Sequence, residues 1–143
     1  NEIDLREVDL GVYSVGTDNE KLESIGQIIS AIKYMPLLER QRVITYMSSL
    51  VHKLPSNLMM TNEQVKKISS EGIEVGGHTC RHPILSSVSL ADAEKEISDG
   101  KCYLENLIEK PLRFFAYPNG KKNIDYIDAH RDLVERLGFS AAF

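Results

Sequence analysis

"EVGGHTCRHP", residues 74–83, carries two of the chain's four histidines, and the rest of the sequence is read outward from it. His78 and His82 stand four residues apart, and Pro83 follows at once. One helical turn over this span would put both imidazoles on one side, with Cβ atoms about 5–6 Å apart. That separation suits two nitrogens on one zinc-like ion. "IEV" at 73–75 predicts a short strand, so the histidines follow its carboxyl end. In barrels and open α/β sheets that end carries the chemistry. Gly76 and Gly77 read as room for a tight turn. Pro83 fixes the exit, and Thr79 is placed to hydrogen-bond within the loop. A catalytic zinc takes about three protein ligands and keeps one position open. Two histidines fall short of that. Cys80, two residues from His78, would point elsewhere on a turn and reads as a small packed side chain.

A second stretch points to the same end of the sheet. "RFFAYPNG", 113–120, extends a strand predicted over "LRFFAY", 112–117, and Pro118-Asn119-Gly120 ends it as a turn. Phe114 and Phe115 read as core. Tyr117 has two readings, a core residue or a wall that stacks on a sugar ring. The backbone N–H groups around Asn119 are candidate donors to an oxyanion. The other two histidines, His52 and His130, read as exposed, and Lys121-Lys122 as a solvated turn.

Around these stretches the chain alternates helix and strand. Residues 1–18 read as a loop or ordered arm. Leu22, Ile25, Ile28, Ile29, Ile32 and Met35 then recur at helical spacing. Pro36 stops that helix and suits the first turn of the next, whose stripe runs from Leu37 to Leu54 before Pro55. Together they predict a helical hairpin. Thr61 with Gln64 is a capping box opening a helix that ends at Gly72. Ser89, supported by Asp92, caps another that closes at Lys110-Pro111. A helix after Gly120, with Ile124, Ile127, Val134 and Leu137 on one face, stops at Gly138. "FSAAF" at 139–143 is the third predicted strand. This alternation predicts an α/β fold with a parallel sheet, in which three strands are few.

The totals agree with a globular protein and exclude some partners. The chain has 143 residues, 42% hydrophobic and 27% charged, with a net charge of −4. No Lys/Arg cluster invites nucleic acid or an anionic membrane. No apolar run approaches the roughly 20 residues of a membrane span. Cys80 and Cys102 form no CxxC pair and no disulfide framework. The chain opens without Met, carries no signal-peptide pattern and closes inside an apolar strand, which reads as an excised piece of a longer protein.

The stretch "MMTNEQVKKISSEGIEVGGHTCRHPIL", followed by "LRFFAYPNG", resembles the polysaccharide deacetylase family, the NodB-homology domain of carbohydrate esterase family 4. The resemblance covers roughly residues 58–143. It divides the chain into an arm with an inserted helical hairpin, 1–57, and the central part of a distorted (β/α) barrel, 58–143. It implies a divalent metal, most often zinc, with cobalt or nickel equally suited to two histidines. It implies hydrolysis of N-acetyl or O-acetyl groups on a polysaccharide or oligosaccharide, with one Asp and two His on the metal, a second Asp as base and a later His as acid. Carried over, His78 and His82 match the metal histidines. Thr79 matches the residue that supports their loop, and Tyr117, Pro118 and Asn119 fall in the groove-forming turn. Such a substrate points to the cell envelope or the exterior.

The sequence also departs from the family pattern. No Asp-Asp pair occurs anywhere in it. Ala116 stands where the family often has the Arg that holds the base, and Arg113 is not an obvious replacement. Base and acid are therefore expected outside this chain, which alone should be inactive and, with exposed sheet edges, prone to self-association. The alternative is a non-catalytic glycan-binding or structural α/β module that lacks the Asp pair.

Overall fold

The computed structural model describes all residues, Asn1–Phe143, and divides into two compact units, Asn1–Ser56 and Asn57–Phe143. In the first unit the opening residues are not a loop. β1 (Glu2–Asp4) and β2 (Val12–Ser14) pair antiparallel, with Ile3 opposite Tyr13. A 3-10 turn at Arg6–Val8 links them and leaves through Asp9 at φ 60°. Each strand spans only three residues, too few to show a period-2 pattern in the sequence. Thr17 and Glu20 form a reciprocal capping box that opens α1 (Asp18–Ile32). After Pro36, α2 (Leu37–Ser49) runs shorter than its apolar stripe suggested. Each helix buries one apolar side chain, Ile28 and Val43, against Leu5 and Val8, and α1 also buries Ser24. Leu22, Ile25, Ile29 and Ile44 stay exposed, so most of the predicted stripe is not core within this unit.

The second unit is built around one parallel ladder. α3 (Asn62–Ser70) begins at Thr61, whose hydroxyl accepts the Gln64 N–H while the Gln64 side chain accepts the Thr61 N–H at 2.8 Å. Gly72, at φ 93°, ends it. α4 (Leu90–Ile108) starts at Ser89, whose hydroxyl accepts from the Asp92 N–H and donates to its carboxylate. β3 (Phe114–Phe115) pairs parallel with β4 (Ala141–Ala142). Gly77 bridges the other side of Phe115, also parallel. α5 (Asp128–Arg136) lies between the two strands in sequence and ends at Gly138, φ 86°.

The parallel arrangement agrees with an α/β fold, but the strands are far shorter than expected. Ile73–Val75 is not a strand at all. Two paired strands and two isolated bridges do not make a barrel, so the expected partial barrel is not seen as such. A ladder lengthens only where neighbours supply partners for its N–H and C=O groups, and these segments have few.

The core of this unit is aromatic and aliphatic: Leu85, Ile97, Leu112, Phe115, Tyr117, Leu133 and Phe139 are among its buried members. Phe115 meets Tyr117 edge-on at 5.2 Å and Phe139 at 5.4 Å. Ile124 and Ile127, predicted for the inner face of the last helix, are exposed because residues 121–127 form a turn before α5 begins. His130 is buried rather than exposed. Its Nδ1 accepts the Ile127 N–H at 3.1 Å, closing the first turn of α5. His52 is exposed, as read.

Candidate metal centre

The loop that carries both histidines is zipped to the end of β3. The Gly77 N–H donates to the Phe114 carbonyl at 2.8 Å, and the Ala116 N–H donates to the Gly77 carbonyl at 2.9 Å. The next residue, His78, places Nδ1 2.7 Å from the Ala116 carbonyl oxygen. A carbonyl carries no proton, so Nδ1 is the donor, and in the neutral ring Nε2 carries the lone pair. Metal-binding histidines are commonly oriented by such a bond.

His82 lies beside it. The two rings are 4.7 Å apart between centroids and inclined at 74°, and both residues are exposed. The sequence predicted this proximity through a helical turn. The backbone achieves it differently, because Thr79 and His82 both sit in the left-handed region, at φ 63° and 54°. The His82 N–H donates to the Thr79 hydroxyl at 3.1 Å, which is the loop-supporting bond expected of that residue.

Gly76 and Gly77 serve a purpose other than the one read for them. Neither has positive φ. Both are close-approach positions. A Cβ on Gly76 would lie 3.1 Å from the Phe114 carbonyl oxygen, and one on Gly77 would lie 3.1 Å from Phe139 Cζ and 3.3 Å from Phe115 Cδ2. The histidine loop therefore leaves the core through a gap in which an added Cβ would make contacts tighter than ordinary van der Waals packing.

The second stretch reaches the same place through Ala116, but its side chains part company. Pro118 is buried and Asn119 is exposed at φ 64°, followed by Gly120 at φ 75°. Tyr117 takes the core reading. It is 5% exposed and its ring stacks on Tyr126 at 3.8 Å, so it does not offer an open wall for a sugar ring. Burial raises its phenol pKa, and its hydroxyl is buried without a hydrogen-bond partner. Arg113 is held by Glu74 through Nε and Nη2, at 3.2 and 2.9 Å, and its side chain remains largely exposed.

One residue that the sequence did not bring forward stands behind the loop. Glu96 of α4 is 4% exposed. Its Oε2 accepts the backbone N–H groups of Cys80 and Arg81 at 3.1 and 2.8 Å, and its Oε1 accepts Arg81 Nε–H at 2.6 Å. A glutamate one position before Ile97 on an amphipathic helix looks solvated, and only the loop packed on that face reveals its task. Cys80 and Cys102 are free and exposed. Partial desolvation of its thiol, with Glu96 next in effect, raises the Cys80 pKa.

As a donor set, His78 and His82 fit two positions of a borderline metal such as zinc. No group of three or more His, Cys, Asp or Glu side chains converges anywhere in the chain. No helix is long and apolar enough to cross a membrane.

The "putative polysaccharide deacetylase YxkH" of Bacillus subtilis is 27% identical over 79 residues, covering 55% of this chain and 28% of that protein. The peptidoglycan-N-acetylglucosamine deacetylase of Bacillus cereus is 40% identical over 59 residues, 41% of this chain and 27% of its own length. The chain thus spans under a third of either protein. Among solved structures, the Streptococcus pyogenes deacetylase PplD in complex with acetate aligns with a TM-score of 0.54 at 28% identity, over 59% of this chain and 36% of that one. The fold likeness extends to a family 4 carbohydrate esterase of Streptomyces lividans, TM-score 0.51 at 20% identity, over 57% of this chain and 41% of that one. The model of the polysaccharide deacetylase family matches residues 34–142, and the chain belongs to that family.

Proposed function

We propose that this chain carries the histidine half of a metal centre in a carbohydrate deacetylase that hydrolyses N-acetyl or O-acetyl groups of a polysaccharide. The observation that carries the reading is the histidine pair, 4.7 Å apart with His78 oriented through Nδ1 by the Ala116 carbonyl. His78 and His82 would hold the ion, zinc first and cobalt or nickel as substitutes. A divalent ion at such a site supplies Lewis acidity toward an acetyl carbonyl and lowers the pKa of water. The chain's own residues orient the two imidazoles. The turn at Pro118-Asn119-Gly120, joined to the loop through Ala116, would border the acetylated sugar and offer backbone N–H groups to the developing oxyanion. Neither a base nor an acid is assigned here, because no carboxylate joins the histidines. A second reading is a glycan-binding or structural module without turnover. A polysaccharide substrate suggests work at the cell envelope or outside the cell.

The test is elemental analysis of the purified chain beside its His78→Ala/His82→Ala variant, with turnover of an acetylated chitooligosaccharide followed in parallel. Stoichiometric zinc that vanishes in the variant supports the metal reading, and equal metal in both refutes it. The chain alone is expected to show little turnover. A missing acid or base each removes about 10²–10⁴-fold, so robust turnover would refute the assignment of base and acid to residues outside this chain.

A further inference from the structure

The histidine loop holds an unfavourable shape, and its support comes from α4. Within five residues, 78–82, two non-glycine residues occupy the left-handed region, one of them the β-branched Thr79. Such conformations persist only where the surroundings over-determine them. The loop's own bond, His82 N–H to the Thr79 hydroxyl, spans three residues and cannot fix the loop against the rest of the protein. The bond from His78 to the Ala116 carbonyl ties its start to the end of β3, and two features of one helix face tie its middle. Glu96 accepts the Cys80 and Arg81 amides of the loop and the Arg81 guanidinium. Gly100, one turn further along α4, lets the loop lie flat, since a Cβ there would stand 3.3 Å from the Thr79 carbonyl carbon and 3.4 Å from Cys80 Sγ.

We infer that Glu96 is a positioning residue, which sets the separation and tilt of the His78 and His82 rings through the Cys80–Arg81 backbone. The inference rests on the metal reading above for its consequence, not for its geometry. Arg81 balances the buried carboxylate while its own side chain stays 63% exposed, so the pair anchors the loop without closing the site.

The test uses the whole chain and the variants Glu96→Ala, Glu96→Gln and His78→Ala. Amide exchange at Cys80 and Arg81 and the nuclear Overhauser contacts between the two imidazole rings are read by NMR. Co2+ affinity is read by visible absorption, with circular dichroism as the fold control. Glu96→Ala is expected to expose both amides, erase the ring-to-ring contacts and weaken cobalt binding ~10–100-fold, the usual cost of losing an outer-sphere support. Glu96→Gln keeps an acceptor oxygen but turns an NH2 toward Arg81, and is expected to fall between the two. Ring contacts and cobalt affinity unchanged in Glu96→Ala overturn the inference. Should Glu96→Ala fail to fold, wild-type ring contacts and affinity in a folded Glu96→Gln do the same. If neither the wild-type chain nor His78→Ala binds cobalt, the metal reading fails, while the ring contacts still decide the role of Glu96.

Discussion

Gly77→Ala tests whether the histidine loop is held by its passage through the core. An added Cβ would lie 3.1 Å and 3.2 Å from Cζ and Cε1 of Phe139 and 3.3 Å from Cδ2 of Phe115. Carbon atoms in contact prefer about 3.5–4.0 Å, so three contacts are short at once. Phe115 is 1% exposed and Phe139 7%, and each ring already packs on the other at 5.4 Å. Neither can yield without disturbing the other. Overpacking of this kind costs about 1–3 kcal/mol. The loss of unfolded-chain freedom on replacing glycine works the other way, by about 0.4–1 kcal/mol. A net destabilisation of about 1 kcal/mol lowers the melting temperature of a unit this size by roughly 4–8 °C. Near-ultraviolet circular dichroism of the tyrosines follows it, since the chain has no tryptophan and Tyr117 stacks on Tyr126 in this core. Gly26→Ala is the control. It lies inside α1 with nothing within 4 Å of the new Cβ, and helix propensity should stabilise it by up to about 1 kcal/mol. The double variant Gly77→Ala/Phe139→Leu should lose less than the sum of its parts, because the shortest contacts are to Phe139. An unchanged melting temperature for Gly77→Ala, or strict additivity with Phe139→Leu, would refute the steric argument.

His130 makes stability depend on pH. Burial lowers its pKa below the ordinary 6.5, and the neutral Nδ1 is what accepts the Ile127 N–H. The unfolded chain then binds the proton more readily than the folded one, so its contribution is complete above about pH 6.5 and declines as the pH falls toward the lowered value. Urea unfolding between pH 7.5 and 5 should show that decline, and His130→Gln should flatten it. For Thr79, replacement by Ala keeps the left-handed φ and removes the hydroxyl that accepts the His82 N–H. Asn tolerates that region and can still accept, so Thr79→Asn should retain metal affinity that Thr79→Ala loses, as read by cobalt titration. The chain is also expected to self-associate at its short sheet edges, near Phe143, which is 74% exposed. Light scattering that reports only monomer at high concentration would count against it.

The features legible in the sequence are the local ones. Thr61 with Gln64 and Ser89 with Asp92 need only residues three apart to complete their hydrogen bonds, and both caps form where the spacing placed them. Gly72 and Gly138 end their helices for an equally local reason, a positive φ. The family read from residues 74–83 and 113–120 is the one whose model matches the chain, and the two stretches do meet, through His78 and Ala116. Strand length was not legible, because a strand is as long as its partners allow and the pattern of "IEV" says nothing of partners. Burial of polar groups was not legible either. Glu96 reaches a loop fifteen residues earlier in the chain, and nothing in the spacing of α4 distinguishes it from a solvated glutamate. His130 looked exposed for the same reason.

The two histidines have their geometry from the polypeptide alone. A carbonyl fixes the tautomer of His78, Thr79 fixes the amide of His82, and Glu96 ties the intervening backbone to a helix whose Ala93 and Ile97 are core. An ion arriving at such a site would find the rings already ordered and would spend little of its binding energy on arranging them. On the proposed reading, affinity in this chain is then limited by the number of donors, two where about three are wanted, rather than by their disorder. The distinction can be measured. If donor number is limiting, a small carboxylate such as acetate added with the metal should strengthen zinc binding to the wild-type chain by supplying an oxygen ligand. It should do nothing for His78→Ala/His82→Ala. If loop disorder were limiting instead, added carboxylate would leave the wild-type affinity unchanged, and the view of a preformed half-site would be wrong.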